Sequence, residues 1–357
     1  MPNRPPADRD GVRRPYTTRD PAVDASIAEL TDRIPDALDR QLVTELMTTA
    51  YRLGAANTTT GDLKLLNSAL KELQYAFKVF RPYRHIRKVA TFGSARLPRR
   101  HPAYGMAKTF GAEMARAGWM VITGAASGIM KAGHEGAGRA ASVGLNIRLP
   151  FEQEANPVIA RDEKLINCKY FFTRKLLFIK ESHATALFPG GFGTLDEGFE
   201  SLTLVQTGKS DPRPIVLVEA PRGAYWKPML RFFDRQLIAG KMISPEDRSI
   251  YQVARSGEEA AQLVLSFYRM YHSMRYVGHR LVIRLQQALP PGAADRLGKE
   301  FKDLVAGGGF VESGPLPGEA DEPELAARPR LAFAFTRQSY GRLTQMIHRL
   351  NDLAPRD

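Results

Sequence analysis

Residues 184–197 read Ala184-Thr-Ala-Leu-Phe-Pro-Gly-Gly-Phe-Gly-Thr-Leu-Asp-Glu197. The first five are apolar or β-branched enough for a buried strand, and Pro189 ends it. Gly190, Gly191 and Gly193 then let the backbone turn tightly and approach a ligand, and Thr194 stands where a helix begins. A strand that turns through glycines into a helix is the repeating unit of a parallel α/β sheet, with ligands at the strand's carboxyl end. The first N–H groups of such a helix lack partners in the helix and sit at the positive end of its dipole, so they suit an anion, and a phosphate fits. Thr194 adds a hydroxyl donor. Glu197, one helical turn in, sets a carboxylate beside whatever the phosphate is attached to.

Outward from this stretch the same alternation repeats. Short apolar runs at Val89–Phe92, Met120–Thr123, Leu145–Leu149, Ile215–Val218 and Ile250–Val253 read as strands. Helical patterns near 103–117, 128–142, 170–182, 196–206, 225–239 and 258–270 separate them. The fold class this implies is α/β, a Rossmann-like doubly wound parallel sheet over residues 88–272. Residues 273–357 read strand, helix, Gly/Pro-rich passage, strand, helix, and are expected to form a small C-terminal α/β domain in which Gly307-Gly308-Gly309 is a turn. Residues 24–87 carry two helical stripes, one with Leu38, Leu42, Val43, Leu46 and Met47 and one with Leu63, Leu66, Leu70, Leu73, Phe77 and Phe80. They are expected to form a helical extension. Residues 1–23, rich in Pro, Arg and Asp and without apolar period, read as a disordered arm.

The 357 residues are 43% hydrophobic and 25% charged, which suits a buried core and offers no apolar run long enough for a bilayer. The N-terminal stretch lacks a secretory apolar segment, and the single cysteine, Cys168, has no partner for an internal disulfide, so a cytoplasmic setting is expected. The net charge of +13 raises nucleic-acid binding as a function. The excess is spread along the whole chain, and no basic run exceeds Arg99-Arg100-His101, which argues against a polynucleotide partner.

The string Pro-Gly-Gly-x-Gly-Thr-x-x-Glu resembles the signature of the Lonely Guy family of nucleoside 5′-monophosphate phosphoribohydrolases. Further blocks share the resemblance: Phe92-Gly-Ser-Ala-Arg96, Thr123-Gly124 through Gly128-Ile-Met130, Leu145 through Gln153, Tyr170-Phe-Phe-Thr-Arg-Lys175, and Leu204-Val-Gln-Thr-Gly-Lys209. Together they span about residues 88–270. With its flanks the chain looks like the longer bacterial members, often labelled AMP nucleosidase or, formerly, lysine decarboxylase.

The resemblance implies hydrolysis of the N-glycosidic bond of AMP or a related nucleotide, a cytokinin nucleotide included, to free base and ribose 5-phosphate. It implies no cofactor and no metal, and a homodimer or higher homo-oligomer. Breaking that bond builds positive charge on C1′ and negative charge on the base. The expected catalytic residues are Glu197, to orient water or offset the cation, and Arg174, catalytic by the resemblance and able to grip phosphate or steady the leaving base. The expected substrate-binding set is Gly190, Gly191, Gly193, Thr194, Lys175, Ser94, Gly124, Gly128, Glu152 and Thr203. Gln206 is a further candidate on the face of Thr203.

One block departs from the family pattern. Gly124-Ala125-Ala126-Ser127-Gly128 stands where Gly-Gly-Gly-x-x-Gly is usual, and alanine disfavours positive φ. This motivates an alternative, a nucleotide-sensing module that binds without turnover. Nucleic-acid binding is a third reading. No histidine or cysteine spacing marks a metal site, and Cys168 reads as an inert, partly buried thiol.

Overall fold

The computed structural model describes residues 16–147 and 154–353, in two compact units that divide between Lys71 and Glu72. The first contains α1 (Pro21–Thr31) and α2 (Ala37–Ala55). Asp20 and Asp36 cap them by accepting hydrogen bonds from first-turn amides, and the Thr31 and Thr44 hydroxyls join them at 3.0 Å. Helix α1 starts inside the stretch expected to be a disordered arm, because Pro21 at the first helical position needs no amide partner and Asp20 supplies the cap. Residues 1–15 of that arm lie outside the described residues. Leu38, Leu42 and Leu46, one side of the expected stripe on α2, are exposed. Helix α3 (Thr60–Phe80) begins in the first unit and ends in the second.

The second unit is built on seven parallel strands: β1 (Lys88–Phe92), β2 (Met120–Thr123), β3 (Ser142–Ile147), β4 (Leu165–Cys168), β5 (Ala184–Leu187), β6 (Ile215–Val218) and β7 (Tyr251–Ala254). Their order is β4-β3-β2-β1-β5-β6-β7, with Val89 facing Val121 on one side and Ala184 on the other. Alternate residues point to opposite faces. Val89, Val121 and Val216 meet α4 (Pro102–Arg116), α5 (Ile129–Ala137) and α9 (Gly257–Phe267) in one core. Ala90, Ile122 and Leu217 meet the end of α3, α6 (Phe171–Glu181), α7 (Phe192–Gln206) and α8 (Trp226–Phe232) in the other. Strands buried on both faces read as unbroken apolar runs, which is why most of them are visible in the sequence. Strand β4, Leu-Ile-Asn-Cys, was not expected. It is an edge strand with exposed Asn167, and its mixed composition hides it.

Helix α8 continues as a π-helical stretch to Ile238, and α7 starts at Phe192, four residues earlier than expected. The unit also carries an antiparallel sheet, β10-β11-β9-β8, formed by β8 (Tyr271–Val277), β9 (Arg280–Leu285), β10 (Val311–Ser313) and β11 (Arg330–Phe333), with α10 (Ala293–Glu300) and α11 (Tyr340–Asp352) on its core. Strands β8 and β10 were not expected from the sequence. The Gly/Pro-rich passage is pinned where Glu319 accepts from two buried arginines, Arg284 at 2.8 Å and Arg330 at 3.2 Å. No helix among the described residues is long and apolar enough to cross a membrane.

Candidate active site

Because β1 is flanked by β2 on one side and β5 on the other, the chain leaves it in opposite directions and a crevice opens beyond the strand ends. The loops after β1, β2, β5 and β6 enclose a cavity of about 1270 Å³ there. It is lined by Ser94, Gly124, Arg174, Glu197 and the whole of 189–195, so most of the expected set is brought together.

The loop after β5 owes its polarity to where its carbonyls go. Pro189 O accepts from Ser94 N–H at 3.0 Å, and Gly191 O accepts from the Thr194 and Leu195 amides. Among the described residues, the amides of 190–193 donate to nothing. Four free donors at the start of α7 make a cradle whose geometry suits an anion. A Cβ on Gly190 would lie 2.1 Å from Thr194 Oγ1 and 2.9 Å from Ser94 N, so this glycine allows the two loops to meet. Gly191 and Gly193 border open space. Phe192 between them is 91% exposed at the cavity edge.

Arg174 of α6 and Glu197 of α7 face one another, with Nη2 4.0 Å from Oε1. Helix α6 feeds β5, and β5 delivers the glycine loop, so these neighbours in space follow from the chain order. The Arg174 guanidinium stacks over Phe171 at 5.0 Å and Phe178 at 5.9 Å. Glu197 is 3% exposed, and its Oε2 and the Nε of Arg174 make no hydrogen bond. Burial lifts the Glu197 carboxyl above its ordinary value, while Lys175 and Arg174 pull it back. Burial also lowers the Arg174 guanidinium, which Glu197 props up. At 4.0 Å without a hydrogen bond, burial outweighs pairing for both groups.

Lys175, expected among the substrate contacts, does not line the cavity. Its Nζ lies 2.9 Å from Asp196 Oδ2, 2.9 Å from Glu200 Oε2 and 3.6 Å from Glu197 Oε2, so it backs the carboxylate from behind. Gly128 also sits outside the lining: with φ of 62° it passes the Ser94 carbonyl so closely that a Cβ would be 2.2 Å away. Thr203 is exposed and donates to the Phe199 carbonyl at 2.8 Å, as helical threonines do. Gln206 donates to Asp247 at 2.7 Å. Glu152 lies outside the described residues. Cys168 is fully buried rather than partly so, with its thiol pushed up to about 11 by burial.

Three features were missed from the sequence. Ala125 adopts φ of 59°, a backbone region that favours glycine, and its methyl packs near Gly144 of β3, away from the cavity. Behind it, buried His134 accepts at Nδ1 from Asn156, which also donates to the Ala125 and Ala126 carbonyls. That leaves the His134 proton on Nε2, 3.1 Å from the Val143 carbonyl and from Thr123 Oγ1. The third is the loop after β6. Its buried Glu219 accepts from Trp226 N–H at 3.1 Å and Arg255 at 2.7 Å, and Tyr225 donates to Gly190 O at 2.5 Å. An isolated tyrosine in a loop carries no motif; only the fold brings it to the cradle.

A family model described as possible lysine decarboxylase matches residues 124–264. Two curated relatives from Arabidopsis thaliana, the cytokinin riboside 5′-monophosphate phosphoribohydrolases LOG1 and LOG3, are 37% and 36% identical to this chain over 86 residues. Each match covers 24% of this chain and 38% of the relative. Among solved structures, the molybdenum cofactor carrier protein of Chlamydomonas reinhardtii is similar over 50% of this chain and 99% of its own, at 20% identity and a TM-score of 0.34. The span that the family model matches holds the cradle, Arg174 and Glu197, and over part of its length the chain is similar to the Lonely Guy phosphoribohydrolases.

Proposed function

We propose that the protein hydrolyses the N-glycosidic bond of a nucleoside 5′-monophosphate, AMP or a related nucleotide including cytokinin nucleotides, releasing the base and ribose 5-phosphate. The observation that carries this reading is a buried carboxylate, Glu197, one helical turn from four free amides and facing Arg174 with no hydrogen bond between them. Phosphate on the amides places the ribose against Glu197. As the C1′–N bond breaks, the bond electrons leave with the base and C1′ becomes cationic; the carboxylate offsets that charge and takes a proton from the attacking water. The water oxygen bonds to C1′, and the proton that Glu197 took passes on to the departing base, which restores the carboxylate. The Arg174 guanidinium steadies the negative charge on the departing base.

The chain's departure from the family pattern at 124–128 does not weaken this reading, since Ala125 takes the left-handed backbone that a glycine would take there. Nor does the older decarboxylase label gain support, as no lysine lines the cavity among the described residues and Lys175 is held by three carboxylates. The exposed Phe171, Phe172 and Leu176 on α6 favour a homodimer, which sedimentation at micromolar concentration checks.

The test of the activity is incubation with AMP and other monophosphates and chromatography of the released base. Glu197→Gln and Arg174→Ala are each expected to lower kcat by roughly 10²-fold or more. Nucleotide binding without base release would return the protein to the sensing role, and unchanged rates in the variants would remove these residues from the mechanism.

A further inference from the structure

We propose that Tyr225 is the positioning residue of the anion cradle, and that its hydroxyl, by occupying the Gly190 carbonyl, gives the loop its affinity for a phosphate group. The inference deepens the reading of the site as one that holds a nucleotide phosphate, and rests on it.

A loop binds an anion through its amides only if its carbonyls point at something else, because each carbonyl left facing the site presents partial negative charge to the ligand. Three carbonyls of the loop before α7, those of Pro189, Gly190 and Gly191, border the free amides of 190–193. Pro189 O is taken by the Ser94 amide of the loop after β1, and Gly191 O by the first turn of α7. Gly190 O has one donor among the described residues, the Tyr225 hydroxyl at 2.5 Å. The main chain therefore caps two of the three carbonyls and a side chain caps the third. That side chain lines the same cavity as the cradle.

The hydroxyl reaches Gly190 because its own loop is fixed at both ends. The Glu219 amide bonds the Ala254 carbonyl at 3.1 Å, and the Glu219 carboxylate holds the Trp226 amide and Arg255. Trp226 is fully buried, and its indole N–H donates to the Val218 carbonyl at 3.2 Å. The Tyr225 ring packs edge-on to Trp226 with centroids 4.6 Å apart. Tyr225 is thus carried by an anchored segment, although it is itself partly exposed. The sequence distance from Gly190 is 35 residues, and the parallel pairing of β5 with β6 brings the two loops together.

The experiment compares wild type with Tyr225→Phe, which keeps the ring and removes the donor. Calorimetric titration with ribose 5-phosphate and with inorganic phosphate is expected to show affinity about fivefold to tenfold lower in the variant, the scale of one lost hydrogen bond. Adenosine, which lacks the phosphate, is expected to bind both proteins equally, a result that a general disturbance of the pocket would not give. With a nucleotide that turns over, KM rises while kcat stays within about twofold. Equal phosphate affinity in the two proteins, or an equal loss for adenosine, overturns the inference; so does a wild type that binds neither anion. A wild type that binds ribose 5-phosphate more tightly than the variant yet releases no base from any nucleotide supports the inference and overturns the hydrolase reading.

Discussion

In the proposed reaction, Glu197 is the residue at which stability and activity are set against each other. Its carboxyl is raised above the 4.5 of an ordinary glutamate by burial, and the attraction of Lys175 and Arg174 does not cancel this. A carboxyl whose folded value is the higher one stabilises the fold below the unfolded value, and that contribution is lost as pH rises through the folded value. At pH 7 the ionised carboxylate therefore costs stability. Glu197→Gln is expected to raise the thermal midpoint at pH 7, while turnover collapses. Calorimetry at pH 7 checks the first half. Lys175 supplies the opposing pull, so Lys175→Gln is expected to move the acid limb of the kcat profile to higher pH, which a pH series of initial rates reads directly. Ala125 shows the reverse balance. A left-handed alanine costs about 1–2 kcal/mol against glycine, but the glycine variant would loosen the unfolded chain by about 0.4–1 kcal/mol and give up a buried methyl group worth about 0.8 kcal/mol. Ala125→Gly is therefore expected to unfold in urea within about 1 kcal/mol of wild type.

At the scale of the element, the loop between β5 and α7 separates glycines that build from glycines that bind. Gly190→Ala would drive a methyl into Thr194 and the Ser94 amide, so a lowered thermal midpoint is expected. Gly191→Ala and Gly193→Ala meet no atom within 4 Å, and neither position needs a positive φ. These two are expected to melt within a few degrees of wild type yet lose phosphate affinity, because the methyl group stands beside the free amides. Thermal melts with and without ribose 5-phosphate distinguish the cases. The sequence shows the three glycines as one motif, and their different roles depend on what lies across the gap. The same limit governs the rest of the site. Strands buried on both faces, such as Met120–Thr123 and Ile215–Val218, are legible as apolar runs, and a strand ending in Pro-Gly-Gly marks the cradle. The edge strand β4 and the outer strands of the antiparallel sheet, β8 and β10, have mixed composition and blur into loops. Lys175 sits next to Arg174 in sequence, but one step around a helix is about 100°, enough to place it behind Glu197 instead of inside the cavity. Tyr225 and Asn156 act through partners about 30 residues or more away, a relation no local pattern encodes.

Over the whole molecule, four histidines, His134, His183, His272 and His348, are lowered by burial and make folding sensitive to acid. His134 is held down to about 4, His183 to about 3 and His272 to about 4, in each case first by burial. Around His183 the charges of Arg87, Lys88 and Arg213 add to the effect, and His134 already accepts a hydrogen bond at the nitrogen a proton would need. In the unfolded chain each takes up its proton near 6.5, so below that pH the unfolded state binds more protons and gains. The contribution of each neutral histidine is present above 6.5 and is lost as pH falls toward its folded value, by at most about 1.4 kcal/mol per pH unit for each ring. Glu197 and Asp211 oppose this, the latter pushed up to about 6 by burial, yet Asp211 is open to solvent at its surface and its share is weakened accordingly. Four groups against two leave a net loss. The urea midpoint is expected to fall steadily from pH 6.5 to pH 4. His183→Asn retains an acceptor for the Lys88 amide, which His183 Nδ1 receives at 3.2 Å, and removes one titrating ring. Its stability curve is expected to be flatter across that window by up to about 1.4 kcal/mol per pH unit; a slope identical to wild type would show that His183 does not carry the acid sensitivity.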